Sequence, residues 1–218
     1  MEVIFLIGVL IFSVVLHEVS HGLAAYSQGD STAKDAGRLT LNPIPHIDPV
    51  GSILVPLILV LLPVRGLIAW AKPVPVNPLN FRNRKWGEVQ VSLAGIAANL
   101  ALAVTFGLLL RFGMNQEALQ AIVPILRDIV LLNIILGIFN MVPIPPLDGS
   151  HVLSVFLPPQ LAEVRDFFFR YGFFMLLALI FLFPGLFFGL ILIPILGLFQ
   201  LIVGVPVCAL PGIFPFCY

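Results

Sequence analysis

Residues 3–25, VIFLIGVLIFSVVLHEVSHGLAA, decide how this chain is read. Residues 3–16 carry no charge, and apolar character resumes at Gly22-Leu23-Ala24-Ala25. At 1.5 Å of rise per residue such a run is long enough to cross a bilayer as one helix. The sequence nevertheless sets His17, Glu18 and His21 into it. A charged group at mid-helix costs about 2.5–3.5 kcal/mol on insertion, so ionisable residues there need a reason. Their spacing supplies one. Two histidines four residues apart share a helical face and differ by about 6 Å along the axis, so both imidazoles can reach one metal ion. The glutamate beside the first histidine can then act as general base on a metal-bound water, which is the H-E-x-x-H pattern of zinc hydrolases.

Composition agrees with a membrane setting. Of 218 residues 60% are hydrophobic and only 10% charged, which describes a polytopic membrane protein with little length left for a soluble domain. Formal net charge is zero and no basic run interleaved with aromatics suggests nucleic acid. Cys208 and Cys217 are the only cysteines, so no disulfide framework or C-x-x-C metal site is expected, and both read as incidental tail thiols. Glu2 stands where a signal peptide has basic residues, and 3–25 reads as a retained signal-anchor helix.

Beyond the first span, Ser31 to Pro45 is polar and strand-like, with partial alternation over Gly37-Arg38-Leu39-Thr40-Leu41. Residues 50–71 are apolar but broken by Pro56, Pro63 and Arg65, and Lys72–Pro78 is stiff extended chain because proline and the residues before it disfavour helix. Further spans are expected at about 88–111 and 121–142, and apolar segments at about 167–183 and 186–205 are split by Pro184-Gly185. The expected architecture is all-α and polytopic. It has about five to six transmembrane helices, a small membrane-associated strand segment, and a re-entrant or interfacial segment at about 50–71. One domain spans 1–218, with a catalytic core over about 1–165 and accessory helices over about 167–205.

Asn140-Met141-Val142-Pro143-Ile144-Pro145-Pro146-Leu147-Asp148-Gly149 ends the 121–142 span, where the backbone must leave the helix. Irregular backbone at membrane depth survives only when enclosed by protein or lining a watered cavity. Asp148 is therefore a candidate third metal ligand, completing His17 and His21 and leaving a fourth position open for water. A helix-capping aspartate is the plainer alternative.

On His17-Glu18-Val19-Ser20-His21-Gly22, on Asn140-x-x-Pro143-x-Pro145-x-Leu147-Asp148-Gly149 and on Ala94-Gly95-Ile96-Ala97-Ala98-Asn99, the chain resembles the site-2 protease family of intramembrane zinc metalloproteases. His46–Gly51 and Ala71–Pro78 resemble its compact prokaryotic branch without a PDZ domain. The resemblance implies one Zn²⁺ held by His17, His21 and Asp148, Glu18 as catalytic base, and Asn140 in handling substrate backbone. Ile96 departs from the usual Ala-Gly-Pro, and Ser150 stands where a second glycine is frequent.

For the histidines and Asp148 to share a metal, the first span and the 121–142 span must run parallel, with an odd number of crossings between them. The 88–111 span is one, so 50–71 is expected to dip in and out. Under that topology nine of the eleven basic residues lie on or beside the face bearing the metal site; only Arg111 and Arg127 flank the opposite loop. The positive-inside rule then puts the site near the cytoplasmic face.

The implied activity is zinc-dependent hydrolysis of peptide bonds within or beside transmembrane segments of membrane-protein substrates, the protein being integral to a prokaryotic cell membrane. Partners are then a transmembrane protein or peptide and the lipid bilayer, with no nucleic acid. Arg38, Leu39, Thr40 and Leu41 are candidate substrate-binding residues, since a strand edge can capture an extended peptide, and Asn140 could bond its backbone. The competing class is a non-catalytic membrane zinc-binding protein, a carrier or chaperone. A carrier would show repeats and ionisable groups strung across the membrane, and an inactive relative would be expected to lack Glu18. Of the remaining polar residues, His46 and Asp48 read as loop residues satisfying local backbone, Asn99 and Asn133 as hydrogen-bonding glue between helices, and His151 as a polar loop residue.

Overall fold

The computed structural model describes residues 2–61 and 70–210. Its elements are α1 (Glu2–Ser27), the short α2 (Thr32–Asp35), α3 (Val55–Leu61), α4 (Arg84–Gly113), α5 (Val123–Asn140), α6 (Asp148–Phe156), α7 (Ala162–Leu182) and α8 (Pro184–Val203). Among the described residues four helical segments are long and apolar enough to cross a membrane: Ile4–Ser27, Arg84–Gly113, Glu117–Asn140 and Pro184–Val203. The sequence leads one to expect five to six. The difference lies chiefly at α7, whose first turns carry Glu163, Arg165, Asp166 and Arg170 and leave too short an uncharged run.

Helix ends follow local chemistry. Asn83 accepts a hydrogen bond from the Trp86 N–H at 3.1 Å and starts α4, Pro124 occupies the first turn of α5, and α8 stops at Gly204, whose φ of 88° is left-handed. The central helix is α4, which packs along α1, α5, α6 and α8. The main apolar core lies between α4, α5 and α8, with Leu110, Val130, Ile134, Phe199 and Val203 fully enclosed. Many other large apolar side chains stay exposed, Ile4, Phe112, Ile193 and Leu201 among them, as a lipid-facing surface requires.

Two expectations about the connections resolve differently. No strand is formed among the described residues, and the expected strand segment within 31–45 consists of α2, a glycine turn at Gly37 (φ 66°), and irregular chain ending in a single helical turn at Ile44–His46. A strand needs a ladder partner; here Pro43 and Pro45 lack N–H donors, and the His46 ring bonds the Thr40 carbonyl at 3.0 Å instead. The 50–71 segment, by contrast, leaves and returns at one place. Asp48 caps a wide helical turn at Pro49–Leu54 through the N–H groups of Val50 and Gly51, and α3 continues it. At the far end, the Trp70 N–H donates to the Gly51 carbonyl at 3.2 Å while Ser52 Oγ donates to the Trp70 carbonyl at 2.8 Å. Both ends of the excursion therefore sit together, and it makes no net crossing. Pro63 and Arg65, part of the reasoning for that segment, lie outside the described residues, as does Cys217. Cys208 is disulfide-bonded, correcting its reading as an incidental thiol.

From Trp70 the chain runs extended across one end of the bundle, and buried polar groups hold it there. The Lys72 N–H donates to the His46 carbonyl at 2.9 Å, and Arg38 Nη2 to the Lys72 carbonyl at 2.7 Å. Fully buried Asp30, just beyond α1, accepts from the Asn77 N–H (2.7 Å), Asn80 Nδ2 (2.8 Å) and the Thr32 N–H and hydroxyl. Burial acts to raise the Asp30 pKa, but these donors outweigh it and hold the carboxyl below its ordinary value.

Candidate metal and catalytic site

His17 and His21 project from the same face of α1, as four-residue spacing dictates, and both are buried. Asp148 opens α6, one turn beyond the Pro-rich break in which the Pro145–Pro146 peptide is cis. Its approach depends on Gly149. A Cβ there would lie 2.2 Å from the Met141 carbonyl oxygen, so only glycine lets the start of α6 fold back against the end of α5. The packing brings His17 Nε2 and His21 Nε2 to 3.0 Å from each other, and Asp148 Oδ2 to 3.1 Å and 3.3 Å from them.

Proton accounting shows what this triangle accommodates. The Val91 carbonyl, 2.6 Å from His21 Nδ1, can only accept, so Nδ1 carries the proton and Nε2 presents a lone pair. Asn99 Oδ1 lies 2.6 Å from His17 Nδ1 and likewise leaves His17 Nε2 a lone pair. Asp148 Oδ2 is buried without a hydrogen-bond donor. Three electron-rich atoms converge with no proton between them, an arrangement that repels itself unless a cation is shared. Tetrahedral zinc, with bonds of about 2.0–2.1 Å, sets its ligands about 3.3 Å apart, so the donor set fits the ion in kind and in span.

Glu18 points from α1 into the cavity beside this cluster, and its Oε2 accepts the Val74 N–H at 2.8 Å. The cavity is large, about 1720 Å³, and runs from the metal cluster to an apolar wall supplied by α7 and α8, including Phe173, Leu177, Phe187 and Ile191. The extended chain from Trp70 to Val76 forms its rim. Asn140 also lines it, with its Nδ2 donating to the Leu136 carbonyl at 2.9 Å.

The sequence model of Peptidase family M50 matches residues 112–179, which include Asp148. "Putative zinc metalloprotease YwhC" of Bacillus subtilis is 39% identical over 184 residues, covering 80% of this chain and 79% of that protein. The chain belongs to peptidase family M50, the site-2 proteases. The proteins named "Putative zinc metalloprotease Rip2" are similar over a smaller share of their length. The one from Mycolicibacterium smegmatis is 30% identical over 69% of this chain and 56% of its own, and the one from Mycobacterium tuberculosis H37Rv 33% over 71% and 60%. No solved structure matches. As an M50 peptidase the chain is an integral membrane metalloprotease, and Zn²⁺ is its cofactor.

Within this M50 peptidase, His17, His21, Asp148, Glu18 and Asn140 all meet at one cavity. Arg38, Leu39, Thr40 and Leu41 are placed elsewhere, outside the described cavity lining. Arg38 is buried and braces the Lys72 carbonyl, the Leu39 side chain packs over Gly22, and Leu41 is exposed. Extended chain does border the site, but it is the proline-rich 70–76 segment. The sequence reading gave Val91 no role, quoted Gly95 and Asn99 only within the Ala94–Asn99 motif, and assigned Asn99 to helix packing. Their shared spacing of four along α4 was the available signal. His151 also lines the cavity, against Phe169, and burial pushes its pKa down.

Proposed function

We propose that this metalloprotease hydrolyses peptide bonds within or beside transmembrane segments of membrane-protein substrates, using His17, His21 and Asp148 as zinc ligands and Glu18 as general base. The observation that carries the reading is the convergence of two imidazole lone pairs and an orphaned carboxylate oxygen on the wall of a largely apolar cavity between the helices, with Glu18 alongside. Zinc held by His17, His21 and Asp148 would supply Lewis acidity toward the scissile carbonyl and would make water beside Glu18 a stronger acid. Glu18 accepts the proton from the attacking water and passes it to the leaving amine. The Val74 N–H, bonded to one carboxylate oxygen, fixes the rotamer of Glu18 and leaves the other oxygen for the proton. A helical substrate hides its carbonyls in its own hydrogen bonds, so it must be unwound before cleavage. Asn140 and the extended 70–76 rim border the same cavity and would receive such a backbone, while Arg38 supports the rim from behind through the Lys72 carbonyl. Among the described residues most basic side chains, Arg111 and Arg127 apart, belong to the segments around the site, which favours a cytoplasmic-facing site in a prokaryotic cell membrane.

The test is cleavage of transmembrane peptides by purified protein, with zinc measured in the same samples. Glu18→Gln is expected to keep its zinc and lose at least about a hundredfold in rate, the scale of general-base catalysis. A variant that still cleaves near the wild-type rate would refute the mechanism.

A further inference from the structure

One face of α4 touches both imidazoles. Val91, Gly95 and Asn99 follow each other at intervals of four and so lie in one row along the helix. The Val91 carbonyl accepts from His21 Nδ1 at 2.6 Å, and Asn99 Oδ1 accepts from His17 Nδ1 at 2.6 Å. Gly95 lies between them. A Cβ at that position would meet His21 Nε2 at 2.5 Å and His17 Cε1 at 2.6 Å, so the two rings rest directly on bare backbone.

The orientation of the Asn99 amide is itself determined from further back. The Ile129 carbonyl can only accept, so Asn133 must turn its Nδ2 toward it (2.9 Å) and present Oδ1 to α4. That oxygen takes Asn99 Nδ2 at 3.1 Å, with the Ser13 carbonyl as a second acceptor at 3.4 Å. Asn99 can then offer only its oxygen to His17. Both asparagines are fully buried, so no water competes for these bonds.

We infer that the α4 row Val91–Gly95–Asn99, backed by Asn133 of α5, positions the metal ligands: it fixes both histidines as Nε2 donors and holds their rings at the spacing zinc needs. Asn99 and Asn133 are positioning residues for the metal, not merely glue between helices. The inference rests on the ligand set proposed above. Outer hydrogen bonds of this kind are worth about 10–100-fold in metal affinity.

The experiment measures Zn²⁺ affinity of the purified full chain by competition with a chromophoric chelator, and the visible spectrum of the Co²⁺-loaded protein. Asn99→Leu is expected to weaken Zn²⁺ binding about 10–100-fold and to alter the Co²⁺ bands. Asn99→Asp combined with Asn133→Leu keeps the acceptor toward His17 without setting a carboxylate oxygen against Asn133 Oδ1, and should bind Zn²⁺ more tightly than Asn99→Leu. Asn99→Leu with Asn133→Leu replaces both buried amides by apolar groups and so restores thermal stability, yet affinity should remain as low as in Asn99→Leu. Gly107→Ala, on the same helix but against Ile202, should leave the affinity unchanged. Wild-type affinity in Asn99→Leu or in Asn99→Leu with Asn133→Leu, or an affinity in Asn99→Asp with Asn133→Leu as low as that of Asn99→Leu, overturns the inference. His17→Ala separates the two levels: zinc retained there overturns the ligand set itself, whereas zinc lost there but kept in Asn99→Leu overturns only the positioning role.

Discussion

Asp148 shows how one residue depends on its surroundings for its role. At the start of a helix an aspartate is ordinarily a cap, yet Asp148 Oδ2 is buried, has no donor, and faces two imidazole nitrogens at 3.1 Å and 3.3 Å. Asp148→Ala removes one of three protein ligands, so zinc content should fall together with activity, by at least about tenfold in affinity. Atomic-absorption measurement of the purified variant checks this, and full zinc content would return Asp148 to capping duty. Asp148→Asn is the sharper companion. It preserves shape but brings an N–H₂ or a neutral oxygen to the ion, and should bind zinc more weakly than wild type and more strongly than Asp148→Ala. Gly149→Ala acts on the same group indirectly, since its Cβ meets rigid backbone at Met141 rather than a side chain that can move.

Among the elements, the extended chain after Trp70 is held by contacts that no local rule specifies. Asp30 anchors it, accepting bonds on both oxygens from Asn77, Asn80 and Thr32. Asp30→Asn necessarily turns an amide N–H₂ toward one of these donors, and should destabilise the protein by about 1–3 kcal/mol, the cost of an unpaired buried group. The pH dependence has a definite sign. The folded-state pKa of Asp30 is lowered, so its contribution is fully present above the unfolded value near 3.9 and is lost as pH falls through the lower folded value. Thermal unfolding in detergent should therefore show a gap between wild type and Asp30→Asn that is constant from pH 7 down to about 5 and narrows below about 4. A gap that widened on acidification would contradict the assignment. Loosening this segment also frees the Val74 N–H from Glu18, so activity in Asp30→Asn should fall more than zinc content does.

For the whole molecule, the decisive feature is that 51–70 returns to its starting point, sealed by the Trp70–Gly51 and Ser52–Trp70 hydrogen bonds. With no net crossing there, α1 and α5 run parallel through the antiparallel α4, and Asp148 arrives at the end of the bundle where His17 and His21 lie. Single cysteines replacing exposed Lys34 and Leu79, in a chain whose own two cysteines are serines, should be labelled from one face of the membrane, and a cysteine at Asn115 from the other. Labelling of positions 34 and 79 from opposite faces would overturn this topology.

The sequence by itself determined whatever is set by spacing along one helix or by the composition of one segment. His17 and His21 share a face because four residues make about one turn, and a charged motif inside an uncharged span marks chemistry in a membrane. Asp148 was legible as an ionisable group in the Pro-rich break that ends a span, and the parity of crossings followed from requiring it to meet the two histidines. Tertiary structure decided the rest, because it concerns groups far apart in the chain whose meeting depends on packing. His17 and Asn99 are separated by 82 positions and Glu18 and Val74 by 56, and nothing in either neighbourhood encodes the other. The expected strand at 37–41 failed for the same reason: alternation offers a face, but a strand exists only where a second chain completes its hydrogen bonds. Asn99 read as helix glue since a buried amide among small residues suits any partner. Which partner it has was settled by the depth at which α4 crosses α1, and that depth follows from Gly95 letting two imidazoles lie against its backbone.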